Sequence, residues 1–323
     1  MKSITLDQAS AKTIAPPVAP PSIGGVVRRP EMGSFIGLIA VFAFFSFFGG
    51  ADFVSASGAA SWLNVAAELG IVALPVGLLM IAGHLDLSVG TVIPASSMAI
   101  AIVSGLYEAP IIVGIIAALG IGLAVGFING YLVIRTDLPS FVVTLATLFA
   151  VAGLTLGFSI ILAGSTSVAL EAGPVAKQLF GEFVGGKFQV TVFWWLGAVV
   201  VFGFILTFSR YGNWIFAIGG DKVSARNAGI PTDRLTIALY MASGLCSAFV
   251  GMSQAILYNS AQVSAGQSFI FNSIIAVVIG GVMLTGGYGS VVGILLLAAV
   301  LMNNTFRTMA MAYAPRTKTR AKP

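Results

Sequence analysis

The feature that most constrains this chain is the length of its uncharged runs. Gly33–Ala51, Leu87–Tyr107, Ala109–Ile134, Leu138–Leu170, Phe188–Ser209 and Leu235–Phe306 contain no Asp, Glu, Lys or Arg. A helix needs about 20 apolar residues to cross the hydrocarbon core of a bilayer, and most of these runs reach that length. Inside lipid every backbone N–H and C=O must be satisfied internally, which only helices and closed barrels achieve. Barrel strands alternate apolar with polar residues, and these runs do not. The sequence therefore predicts an all-α polytopic membrane protein. Its composition, 58% hydrophobic and 8% charged, leaves no stretch long enough for a soluble domain.

Charges and turn residues predict about nine spans, at 33–51, 63–82, 87–106, 110–134, 138–163, 191–209, 235–257, 268–285 and 290–306. They divide the chain into a Pro-rich tail over 1–32, a transmembrane domain over 33–306 and a basic tail over 307–323. The first tail ("TIAPPVAPPS") has the composition of a disordered segment and not of a signal peptide, because the apolar run begins only at Gly33. Basic residues gather in both tails and in the loop 210–234. The positive-inside rule then places the N-terminus and that loop in the cytoplasm and 164–189 outside. The same distribution accounts for the net charge of +5 without invoking nucleic acid.

Catalytic chemistry is hard to place. The chain has one histidine (His84) and one cysteine (Cys246), and no HExxH, GxSxG or GxxxxGK[ST] pattern. We expect no catalytic residues, no metal site and no cofactor. Cys246, within an apolar run, reads as a small core residue.

Polar residues inside or beside the apolar runs are the candidates for function. In "GHLDLSVG" (83–90), Asp86 directly precedes an apolar run and is expected to cap its helix. His84 reads as an interfacial side chain. In the loop 217–235, Asp221 is placed to cap a short helix, Gly229 to close it in the left-handed position, and Pro231 to stop it. Asn129, Thr144 and Thr147 lie within spans, where they either bond across helices or line a wet path. Glu68, about six residues into its span, either reaches the outer headgroups or faces that path. The glycines of "GIGLAVG" (120–126) and "VIGGVMLTGGYGS" (278–290) permit close helix approach or broken, path-lining backbone.

The stretch "ALPVGLLMIAGHLDLSVGTVIPASSMAIA" (73–101) resembles the signature of the ribose-type permeases of bacterial ATP-binding-cassette (ABC) importers, a helix followed by Gly-Gly-Ile-Asp-Leu-Ser-Val-Gly and another helix. Gly83, Asp86, Leu87, Ser88, Val89 and Gly90 match it, and His84 stands where the family usually has glycine. "NGYLVIRTDLPSFVVTLATL" (129–148), "AIGGDKVSARNAGI" (217–230) and "IIAVVIGGVMLTGGYGS" (274–290) resemble three further family segments, in the family's order. Asn272 departs from the acidic residue expected there.

The resemblance implies a sugar permease subunit in a bacterial inner membrane, not an enzyme. Its partners would be a cytoplasmic ATPase, a periplasmic sugar-binding protein and a second permease copy or relative. The loop 210–234 becomes the coupling loop, with Asp221, Arg226, Ala228 and Gly229 docking on the ATPase. Gly83, Asp86, Ser88, Asn129, Thr144 and Thr147 fall near the translocation path. The family pattern has about ten helices, so the resemblance implies that one is missing here near Val292–Gly293. The alternatives are an ion- or proton-coupled secondary transporter, for which Glu68 is the one candidate ionisable group in mid-span, and a structural scaffold.

Overall fold

The computed structural model describes residues 30–136 and 138–289. The helices are α1 (Pro30–Val54), α2 (Ala56–Ile81), α3 (Val89–Ile100, continued by a π-helix over Ala101–Leu106), α4 (Ile111–Arg135), α5 (Ser140–Ala163), α6 (Thr191–Phe208), α7 (Arg210–Gly220), α8 (Lys222–Asn227), α9 (Thr232–Tyr258) and α10 (Gln267–Ile279). Six of the described segments are long and apolar enough to cross a membrane: α2, α3 with its π extension, α4, α5, α6 and α9. The all-α polytopic class holds.

Several boundaries differ from those predicted, each for a local reason. α2 starts seven residues before position 63, because the Ser55 side chain accepts the Gly58 N–H and caps the helix there. α10 is 13 residues long, about 20 Å of helix, and stops at Gly280–Gly281 instead of running to 285. α1 contains a break at Gly50 (φ 63°, ψ −156°), so its predicted apolar run is not one straight rod. The last predicted span, the proposed loss near Val292–Gly293 and the two tails, apart from Pro30–Met32 at the start of α1, lie outside the described residues.

At the centre stand α2 and α9. Residues Leu69, Leu74, Leu78, Leu79, Met80 and Ile81 of α2 are fully buried and share a core with Ile93, Tyr240 and Val250. α9 packs on α4 with backbone nearly touching backbone. A Cβ at Gly122 would lie 2.3 Å from the Gly244 carbonyl oxygen, and one at Gly244 would lie 2.1 Å from that of Gly122. This is the small-residue approach predicted for "GIGLAVG". α4 and α5 turn large apolar side chains outward, including Ile116, Phe149 and Ile161, the surface a helix presents to lipid.

Two small β elements fix which loops share a side. β1 (Ser167–Ala169), after α5, pairs antiparallel with β4 (Ser260–Gln262), after α9. β2 (Phe183–Val184) and β3 (Phe188–Gln189) form a hairpin in the same long connection. At the opposite end of the bundle, the Gly287 N–H donates to the Ile81 carbonyl at 2.8 Å.

Candidate functional site

That opposite end is where the sequence motifs converge. α2 ends at Ile81, and Gly83 takes φ +84°, a left-handed conformation that lets the chain reverse into "HLDLSVG". A Cβ on Gly219, near the end of α7, would lie 1.8 Å from the Ile81 carbonyl oxygen and 2.5 Å from the Gly287 nitrogen. A Cβ on Gly286 would sit 3.0 Å from both Gly83 Cα and the Gly219 carbonyl oxygen. Three glycine-bearing motifs, distant in sequence, therefore meet backbone to backbone. No larger residue fits at Gly219.

Beside this junction Asp86 is 1% exposed and fully hydrogen-bonded. Its Oδ1 accepts the Ser88 backbone N–H at 3.0 Å and the Ser88 hydroxyl at 2.6 Å, and its Oδ2 accepts the Ser243 hydroxyl at 2.8 Å. Asn129 Nδ2 donates to Ser88 Oγ at 2.8 Å. One carboxylate thus links the turn before α3 to α9, and through Ser88 to α4. This changes the predicted role of Asp86. α3 begins at Val89 with Ser88 in the capping position, and Asp86 binds an amide two residues on, so it organises a buried network and is not the helix cap. Burial raises its carboxyl pKa, against the lowering effect of the bonds from Ser88 and Ser243.

The surrounding turn is held by one further helix, α5, and a second time by α9. Leu85 N–H donates to Ser140 Oγ of α5 at 3.0 Å, and Tyr240 Oη donates to the Leu85 carbonyl at 3.1 Å. His84 is half-buried, its ring 6.0 Å from that of Tyr240. Burial and then the charge of Lys222 lower its pKa. Thr144 and Thr147 are not drawn into the Asp86 network. Their hydroxyls donate to the Ser140 and Val143 carbonyls of their own helix.

The short helix α8 forms as its sequence predicts. The Asp221 side chain accepts the Ser224 N–H, and that bond holds the exposed carboxyl below its usual pKa. At the other end Gly229 (φ +83°) donates to the Arg226 carbonyl and Ile230 to that of Ala225, the two bonds of a Schellman motif with Ala228 as C-cap. Arg226 is tied back: its guanidinium pairs with Asp233 in the first turn of α9 and donates to Thr232 Oγ1 at 3.3 Å. α8 is therefore fixed to α9 at one end and follows α7 directly at the other.

Far from this cluster, Glu68 is 8% exposed and accepts a hydrogen bond from Gln254 Nε2 of α9 at 2.7 Å. It is an inter-helix contact inside the protein, which removes the reading in which it reaches the headgroups. Among the described residues no group of three or more His, Cys, Asp or Glu is placed to hold a metal ion.

Residues 58–318 match the family described as "Branched-chain amino acid transport system / permease component". The chain belongs to this family. Its members are transport permease components, so the chain is a multi-pass membrane protein with a role in transport and not in catalysis. It is 33% identical over 259 residues to the fructose import permease protein of Rhizobium meliloti, covering 78% of this chain and 71% of the relative. It is 30% identical to the ribose import permease protein of Escherichia coli K12, covering 75% of each. A xylose/arabinose import permease protein of Sulfolobus acidocaldarius is 28% identical over 84% of this chain and 76% of its own length. No solved structure matches the chain.

Sequence reasoning missed Tyr240, Ser243, Ser140 and Gln254. The signal for the first two was present: Thr236, Tyr240, Ser243 and Ser247 recur at helical spacing within an apolar span and are all fully buried. They form one polar stripe facing inward. Ser140 and Gln254 have no comparable signal, because their partners are set by tertiary contacts alone.

Proposed function

We propose that this chain is the transmembrane permease subunit of an ABC importer for a monosaccharide or related polyol in a bacterial inner membrane. The observation that carries the reading is α8. It is a two-turn helix capped at both ends, braced by Arg226–Asp233, and set beside the junction where α2, α7 and the segment after α10 meet. A partner pushing on α8 acts on that junction through backbone contacts, with little soft side chain between. The names of the fructose, ribose and xylose/arabinose relatives support the substrate class.

In this reading the N-terminus, the turn 82–88 and the loop 210–234 face the cytoplasm, and the β1–β4 side faces out. The tails 1–32 and 307–323 flank the transmembrane domain. A cytoplasmic ATPase docks on Asp221, Arg226, Ala228 and Gly229 and hydrolyses ATP. A periplasmic binding protein delivers sugar, and a second permease copy or relative completes the path. Gly83, Asp86, Ser88, Asn129, Thr144 and Thr147 lie near the path on the inner side, with Asp86 holding the turn in place. The mechanism is a shift between inward- and outward-facing populations, driven by the difference in the ATPase's affinity for the two.

The test is hydrolysis by the cognate ATPase with and without this chain in detergent. Co-purification and stimulated hydrolysis support the reading. An ATPase that neither binds nor responds rejects it.

A further inference from the structure

The inner-side helix α7 has two faces. Gly212, Ile215 and Ile218 are buried against the core, while Arg210, Tyr211 and Asn213 are exposed. It follows α6, whose last turns present Phe204 (60% exposed) and Phe208 (76% exposed) outward. On a helix long and apolar enough to cross a membrane, such an exposed aromatic face suits contact with lipid. The chain then breaks at Ser209, and Arg210 is the next residue, the first charge after the apolar run of α6.

Arg210 is built in place there. Its guanidinium carbon lies 5.2 Å from the Tyr211 ring centroid and 5.4 Å from that of Trp214, so two amphipathic rings flank one cation. Tyr and Trp are the residues that favour the interface. The only hydrogen bond the guanidinium makes among the described residues is a long one, 3.4 Å, from Nη2 to the Tyr211 hydroxyl. Arg226 has a carboxylate partner in Asp233, but among the described residues no carboxylate comes within ion-pair distance of Arg210. Nor does its own helix neutralise it, since a cation in the first turn is opposed by the helix dipole. Arg135, also exposed and lying 5.6 Å from the Tyr131 ring, differs on this point, because it ends α4, where the dipole favours a cation.

We propose that Arg210, flanked by Tyr211 and Trp214, binds the phosphate of an anionic phospholipid in the leaflet against which α7 lies. A guanidinium offers paired N–H donors that match two phosphate oxygens, and the rings hold it at headgroup depth with Phe204 and Phe208 among the acyl chains. The opposite charge and the depth of the lipid phosphate both fit. The proposal depends on the chain spanning a membrane and not on which solute it transports.

The test is native mass spectrometry of the full chain in detergent, titrated with phosphatidylglycerol or with phosphatidylcholine. The unmodified protein should retain the anionic lipid about fivefold better, the equivalent of the ~1 kcal/mol that one basic side chain contributes near an anionic surface. Arg210→Gln should abolish that preference, and Arg135→Gln, which removes the same charge elsewhere, should keep it. Equal retention of the two lipids by the unmodified protein overturns the proposal even if Arg210→Gln fails to insert. So does an equal loss in Arg135→Gln, which would mark diffuse charge attraction. Displacement of the lipid by millimolar inorganic phosphate would show a free-phosphate site and overturn the lipid assignment.

Discussion

Ser243 donates its hydroxyl to Asp86 Oδ2 at 2.8 Å, joining residues 157 positions apart and fixing α9 to the turn that precedes α3. The other carboxylate oxygen serves Ser88, whose hydroxyl also accepts from Asn129. Replacing Asp86 by Ala strands buried donors on Ser88 and Ser243, each costing about 1–3 kcal/mol. Asp86→Ala should therefore destabilise the protein by several kcal/mol, and Ser243→Ala by about 1–2 kcal/mol. Thermal melts in detergent check the order. Equal stability of Asp86→Ala and the parent would remove the network from the account.

His84 gives a pH signature. Burial lowers its pKa, so the folded state favours the neutral ring and the unfolded chain binds more protons in that range. The stability His84 permits is complete above the ordinary imidazole value of about 6.5 and is lost progressively as pH falls below it. His84→Gln should flatten this slope by on the order of 1 kcal/mol between pH 7 and pH 5. Parallel pH–stability curves for the two proteins would show that the ring is solvated and makes no difference.

At α8, two variants separate docking from folding. Gly229→Val places a β-branched residue at φ +83°, a conformation it resists, and should undo the C-cap. Arg226→Glu sets like charges beside Asp233, but an exposed pair such as this is worth only about 0–1 kcal/mol, so the variant should still insert. Both should lose stimulation of the partner ATPase. In Arg226→Glu with Asp233→Arg the ion pair is restored in reverse, and stimulation should stay low if the Arg226 charge itself meets the ATPase. Full recovery would make Arg226 only a brace.

Glu68 lies between α2 and α9 with Gln254. Glu68→Gln can keep a hydrogen bond to Gln254 and should be mild, within about 1 kcal/mol. Glu68→Ala strands the Gln254 amide and should cost about 1–3 kcal/mol. The comparison is made by thermal melts. Uptake that follows pH in the parent and loses that dependence in Glu68→Gln would instead mark Glu68 as a proton-coupling group and favour a secondary transporter.

What could be read from the sequence and what could not divides along physical lines. Uncharged runs and turn residues located the six described helices long enough to cross a membrane, because lipid leaves the backbone few options. The caps of α8 followed from Asp221 and Gly229 alone, but α7 formed within the predicted loop 210–234. Sequence could not show that Asp86 serves a network instead of a helix end, since the decisive partner, Ser243, lies on a distant helix. Nor could it bury Glu68, whose depth along α2 is a local quantity while its cover comes from α9. The family motifs were read as a row of separate signals. Their meeting at Gly83, Gly219 and Gly286 is a property of the packed chain.

The orientation can be mapped with the thiol chemistry of the chain itself. Cys246 is half-buried in α9, so single cysteines elsewhere should report over a low background. Val223→Cys on α8 should react with an impermeant reagent only from the cytoplasmic side, and Gly185→Cys in the β2–β3 turn only from outside. Labelling of both from one side would break the topology.

Uptake into sealed vesicles separates an ATP-driven permease from an ion-coupled carrier. The chain is reconstituted with its ATPase inside and a sugar-loaded binding protein outside, and radiolabelled ribose, fructose and xylose are offered in turn. At least one of these sugars should accumulate in a way that requires ATP and both partners and persists when ion gradients are collapsed. Accumulation by the chain alone under an ion or proton gradient would contradict the ATP-driven permease.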